Sequence, residues 1–206
     1  MILTIANLKG GSGKTTTAVY LAAGLAATAR TLLVDADPLA SALTWADLAD
    51  GALPCPVVGL AVPRLDRRLP AVGEGYRHVV IDCPPDVAEI TAGAVRAADV
   101  VVVPLAPTIL DVARLAPTAD LIVEASAGRD RPPAVLAVLT RARPRVRSRA
   151  AVRAQLEADG WAVAPDDVPE WEAIAQAAGT TPRDLTPYAS VLAAVRALAS
   201  GRRAAA

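Results

Sequence analysis

Two lysines dominate the chemistry that this chain of 206 residues can do. Lysine and arginine together number 21, and only Lys9 and Lys14 are lysines; both stand in one glycine-rich stretch, Lys9-Gly10-Gly11-Ser12-Gly13-Lys14-Thr15-Thr16. A lysine supplies a compact ammonium on a flexible stem, where arginine supplies a planar fork. Three glycines let backbone N–H groups converge on an anion without obstruction by Cβ atoms. The stretch follows an apolar run at residues 2–6 and opens a helical pattern over residues 14–29, which is the strand–loop–helix setting of a phosphate loop. There the helix N-terminus adds its positive end beneath the phosphates. Lys14 is expected between the β- and γ-phosphates, the Thr15 hydroxyl on Mg²⁺, and Thr16 at the α-phosphate. The strict pattern G-x-x-x-x-G-K-[ST] is broken, because Leu8 stands at its first glycine.

Two further strand ends are acidic. Asp82 closes the run Val79-Val80-Ile81, and Asp35-Ala36-Asp37-Pro38 closes the run that begins at Thr31. Mg²⁺ takes oxygen ligands and keeps several waters, so a carboxylate on a strand beside the phosphate loop is expected, and Asp82 fits that place.

The elements that must position these groups follow from hydrophobic patterning. Strands are expected at residues 2–6, 31–35, 57–61, 78–82, 100–103, 134–140 and 161–164. Helices are expected at 14–29, 39–49, 63–72, 87–98, 108–126 (bent at Pro117), 146–158, 170–178 and 187–200. Four successive valines at 100–103 mark a strand buried on both faces, with Pro104 and Pro107 expected to end it. Alternating strands and helices predict an α/β, doubly wound, mostly parallel sheet with helices on both faces. A single domain over residues 1–206 is expected, with 201–206 a flexible tail.

The lysine before the glycine pair is the deviant form of the loop. The chain resembles the ParA/MinD group of deviant phosphate-loop ATPases, whose signature is KGG-x-GK-T-[ST], and within it the short ParA-type partition ATPases. Cys83-Pro84-Pro85-Asp86 resembles that family's second switch, D-x-P-P, and Asp35-Ala36-Asp37-Pro38 its first, D-x-D-P, with Leu39 where the family usually has glutamine. The resemblance implies ATP and Mg²⁺ as ligands, Asp37 orienting the attacking water beside the metal, and Lys9 reaching across an ATP-dependent homodimer to the partner's nucleotide. It implies slow hydrolysis of ATP to ADP and phosphate, because positioning and charge neutralisation supply most of the rate in phosphoryl transfer. Thr140-Arg141 and Ala164-Pro165 match places where the family contacts the adenine ring. Residues 104–111 match a loop near the dimer interface of the partition branch.

The same resemblance implies non-specific DNA binding by the ATP dimer, a ParB-like centromere-binding partner that stimulates hydrolysis, and a cytoplasmic, nucleoid-associated protein. Residues 141–153 hold six arginines and no acid, followed by six acids and no base over 154–172. Arg145, Arg149 and Arg153 are spaced to share one helix face, a stripe suited to duplex phosphates. The competing reading of that stripe is a solvated face paired to the acidic stretch. A membrane-bound relative of the MinD kind and a metabolic ligase on the same fold are the other function classes considered.

Composition excludes several chemistries. Acids also number 21, so the formal net charge is zero and global charge is silent on a polyanionic partner. Cys55 and Cys83 are too few for a disulfide framework or a four-thiolate site, and His78 is the sole histidine. The longest apolar stretch, near residues 18–29, falls short of the ~20 residues that a membrane span needs. The last helix is expected to pack in the core and not on a membrane, and no secretory leader is expected.

Overall fold

In the computed structural model, which describes residues 1–143 and 148–204, six parallel strands form one sheet. They are β1 (Ile2–Ile5), β2 (Thr31–Asp35), β3 (Val57–Gly59), β4 (His78–Asp82), β5 (Val100–Leu105) and β6 (Ala134–Leu139), in the spatial order β3-β2-β4-β1-β5-β6. The helices are α1 (Lys14–Ala26), α2 (Ser41–Leu48), α3 (Leu65–Val72), α4 (Ala88–Ala97), α5 (Ile109–Ala113), α6 (Ala116–Ser126), α7 (Ser148–Ala158), α8 (Glu172–Ala175) and α9 (Ala189–Ala204). The expected doubly wound α/β class is what the chain adopts.

The strands are apolar because both faces are covered. One core joins α1, α2 and α9 to the sheet through Leu21, Leu25, Trp45, Val191 and Val195. The other joins α3, α4, α6 and α7 through Leu65, Leu69, Ile90, Ile122 and Leu156. Gly24 permits the closest of these contacts, since a Cβ there would lie 2.7 Å from a methyl carbon of Leu192 on α9.

Register brings the acidic strand ends together. Ile5 is paired with Asp82, and Asp35 with Asp82 on the other side. β1 therefore ends between β4 and β5, at the point where the strand order reverses, and crevices outside such strand ends are where parallel sheets hold ligands.

Several expectations are corrected. Pro104 lies inside β5 and does not end it, pairing with Val138 of β6. It is tolerated because its edge faces β1, whose pairing with β5 stops at Val102, and the side-chain amide of Asn7 takes up the Pro104 carbonyl at 2.8 Å. The helix expected over 108–126 is two helices, α5 and α6, and Pro117 sits in the first turn of α6, where its missing N–H costs nothing. Residues 161–164 form no strand, only an isolated bridge from Val163 to Ala137. The helix expected at 170–178 shrinks to α8, while α9 runs past Ser200 to Ala204 into the expected tail. Among the described residues no helix is long and apolar enough to cross a membrane.

Candidate functional site

The loop between β1 and α1 wraps as its glycines dictate. Gly11 and Gly13 adopt φ of 71° and 89°, and Gly13 is the residue that opens α1. This left-handed region is open to glycine and strained for a side chain. From the other side Thr140, just after β6, donates its hydroxyl to the Ser12 carbonyl at 2.9 Å. Arg141 donates to the Gly11 carbonyl at 3.1 Å. The loop is thus held from outside through two of its carbonyls.

Within it Lys14 is buried, and its ammonium donates to the Lys9 carbonyl at 3.0 Å. Burial lowers its pKa, and the negative charges of Asp82 and Asp37 act in the opposite sense. Asp82 is fully buried, and neither of its carboxylate oxygens makes a hydrogen bond of normal geometry. Burial pushes its pKa up to about 7, against the opposing influence of the Thr15 hydroxyl and Lys14. An ionisable group left without partners in the interior is costly unless something else completes it. A hard divalent cation fits: Thr15, Asp82 and Asp37 offer oxygen donors only. Mg²⁺ is such an ion, since it keeps waters and shares phosphate oxygens.

Asp35 has a different job from Asp37. Its carboxylate accepts from the backbone N–H groups of Asp37 at 3.0 Å and of Ala42 and Leu43 at 2.9 Å. It thereby caps α2 and fixes the turn that carries Asp37. Burial raises its pKa, and those three donors act to lower it. The Asp37 carboxylate accepts from the Leu39 N–H at 2.9 Å and faces the crevice.

A cavity of about 470 Å³ opens from the phosphate loop, lined by Gly11 to Thr16, Asp37 and Arg141, and walled further out by Pro169, Trp171 and Tyr188. Gly10 and Lys9 are not part of this lining. The wall beyond Arg141 was expected at Pro165; Pro165 is exposed and does not line the cavity, and Val168 and Pro169 stand there in its place. Thr140, expected beside Arg141, lines the cavity, whereas sequence reading missed Trp171 and Tyr188. The one local signal for Trp171 is its place between two acids, Glu170 and Glu172. Tyr188 is tied to α1 by its hydroxyl, 3.1 Å from the Thr17 hydroxyl.

Lys9 points away from the loop it begins. Its ammonium is paired with the buried carboxylate of Asp111 on α5, whose other oxygen accepts from the Thr108 hydroxyl. Asp111 is another residue that the sequence reading did not single out.

Two arginines of the stripe are engaged within the chain. Arg149 and Arg153 are both paired with Asp167, at 2.8 and 2.5 Å, and Arg153 also donates to the Ala164 carbonyl at 2.7 Å. Arg143 is paired with Glu170. Arg145 lies outside the described residues.

Residues 3–181 match the family model described as the CobQ/CobB/MinD/ParA nucleotide binding domain. The chain is 45% identical over 145 residues to the maintenance of carboxysome distribution protein A of Gloeobacter kilaueensis, covering 70% of this chain and 64% of that protein. The protein of the same name from Halothiobacillus neapolitanus is 32% identical over 158 residues, covering 75% of this chain and 73% of that one. The chromosome partitioning protein ParA of Caulobacter vibrioides is 34% identical over 147 residues, and there the match spans 55% of the relative's length. Among solved structures, Cyanothece McdA in complex with ATP superposes with a TM-score of 0.73 at 21% identity, covering 97% of this chain and 94% of that one. The cell division ATPase MinD of Pyrococcus furiosus superposes at 0.68 and 21% identity, covering 100% and 99%.

Proposed function

The chain belongs to the CobQ/CobB/MinD/ParA nucleotide-binding family, and from that premise we propose that it is an ATPase that uses ATP and Mg²⁺ to switch between a monomer and a homodimer and so positions a large cargo in the cell. The observation that carries this reading is the buried Asp82 carboxylate, left without a hydrogen bond beside Lys14 and Thr15 of a lysine-led phosphate loop. That carboxylate, with Thr15 and Asp37, would hold Mg²⁺, whose charge would neutralise the phosphates. Gly10 to Gly13 and Lys14 would cradle the β- and γ-phosphates, Thr16 the α-phosphate. Arg141, Pro169 and Trp171 would flank the base. Asp37, fixed by Asp35, would orient the attacking water, and hydrolysis would be slow without a partner, for want of a strong base.

Lys9 would leave Asp111 and reach the nucleotide of a second copy. Contacts to the γ-phosphate would favour the dimer, and their loss would shift the population back. The similarity to two carboxysome distribution proteins favours a protein body as the cargo. Partition of DNA with a ParB-like protein is the second reading, favoured by the similarity to ParA. Either way the dimer would ride on nucleoid DNA in the cytoplasm and not on membrane.

Solution mass with and without ATP and Mg²⁺, together with phosphate release, tests the switch. Wild type is expected to double in mass with ATP. Lys14→Ala is expected to lose nucleotide binding, Lys9→Ala to bind ATP and remain a monomer, and Asp37→Ala to stay trapped as the ATP dimer. A Lys9→Ala protein that doubles in mass as wild type does overturns the reading.

A further inference from the structure

The cationic stripe expected on α7 is largely spent on internal pairs, yet the fold presents another one. α3 buries Leu65 and Leu69 against α4. The residues on its opposite side and at its cap, Arg64, Arg67 and Arg68, are all exposed, and none of them forms an ion pair among the described residues. Arg67 and Arg68 stand on the exposed side of α3, and Arg64 is the N-cap residue that precedes its first turn. The one acid within the helix, Asp66, is turned sideways and held by Arg96 of α4 at 3.3 Å, so it does not neutralise them.

The face is also rigidly mounted. A Cβ on Gly93 of α4 would lie 3.0 Å from the Leu65 backbone nitrogen, so the two helices touch backbone to backbone where α3 begins. The planar guanidinium fork matches phosphate oxygens two at a time.

We propose that the solvent face of α3, made by Arg64, Arg67 and Arg68, docks the phosphate backbone of duplex DNA. The proposal rests on the reading of the chain as a positioning ATPase and names the surface by which it holds its track. Duplex DNA is favoured over an anionic membrane because the face has no bulky apolar side chain to insert: Leu65 and Leu69 point inward, and Pro70 and Ala71 are the exposed neighbours. In a dimer the two faces would recur by symmetry, and contacts made by phosphates alone carry no sequence preference.

The test measures retention of a short duplex of arbitrary sequence, with ATP and Mg²⁺, across a salt series. Wild type is compared with the Arg64→Ala/Arg67→Ala/Arg68→Ala variant and with Arg67→Lys/Arg68→Lys. The triple alanine variant is expected to bind nucleotide and double in mass as wild type does. Its DNA affinity should fall at least ~10-fold, and its plot of log K against log salt should flatten by ~0.9 for each phosphate it no longer neutralises. The lysine variant, which keeps the charge, is expected to retain most of the affinity. Wild-type affinity and salt slope in the triple variant overturn the proposal while leaving the ATPase reading intact. A wild type that doubles in mass with ATP yet ignores DNA, or that co-sediments with phosphatidylglycerol vesicles in place of DNA, overturns it as well. Failure to double in mass at all sinks the underlying reading and this proposal with it.

Discussion

Asp82 shows at single-residue scale how function competes with stability. A carboxylate sealed in the sheet end with no hydrogen bond is a defect in the isolated fold and an asset once a cation is present. Its pKa is raised to about 7 by burial, above the ~3.9 of an unfolded aspartate. The folded chain therefore binds the proton more tightly than the unfolded one, and the stability linked to this group falls as pH climbs from ~4 toward ~7. Asp82→Asn is expected to raise the thermal stability of the nucleotide-free protein at neutral pH, by on the order of 1–3 kcal/mol. It should flatten that pH slope while abolishing Mg²⁺-dependent phosphate release. Thermal unfolding across the pH range, paired with a turnover assay, checks both halves; an unchanged or lower melting temperature would show that the carboxylate is not the burden described. Asp111 is the complementary case, since it occupies Lys9 within the same chain. Asp111→Asn removes the charge that Lys9 must leave, and is expected to lower the ATP concentration needed for doubling in mass several-fold, read by light scattering.

At the scale of elements, the turn between β2 and α2 is where local strain and capping meet. Asp35 satisfies three backbone N–H groups at once, two of them donors at the start of α2 that no helical carbonyl serves. Asp35→Ala is expected to cost ~2 kcal/mol in urea unfolding and to slow phosphate release with little change in KM, because Asp37 loses its anchor. Ala40 opens α2 with φ at 53°, a left-handed conformation that costs a residue with a Cβ ~1 kcal/mol. Ala40→Gly should recover about that much. Elements of this kind were legible only in outline. The phosphate loop and the strands ending at Asp35 and Asp82 could be read because apolar runs and glycines act locally. The behaviour of Pro104 could not, because it depends on where the neighbouring strand β1 stops. Nor could the break between α5 and α6, where Pro117 reads as a bend in one helix and acts as the start of another.

The whole molecule adds what no window of sequence contains: which charges are already spent. Arg149 and Arg153 looked available by spacing and are engaged by Asp167 from a segment more than a dozen residues on. Lys9 looked like part of the loop and is held by a helix that follows the fifth strand. Exposure is another such property. Ile109 and Leu110 are 75% and 70% exposed in the helix that carries Asp111, so two large apolar side chains face solvent beside the one lysine that would cross to a partner. Scattered exposed apolar residues need no explanation, but a contiguous pair on a functional rim marks a surface that is covered part of the time. If the ATP-bound state is a dimer across this rim, Ile109→Asp/Leu110→Asp should leave thermal stability within ~0.5 kcal/mol of wild type, since nothing buried is removed. Nucleotide affinity should persist because the lining of the cavity does not include these residues. The loss should fall on association, with the double variant remaining monomeric at ATP concentrations that double the mass of wild type. A double variant that dimerises with wild-type midpoint would place the interface elsewhere and detach Lys9 from it.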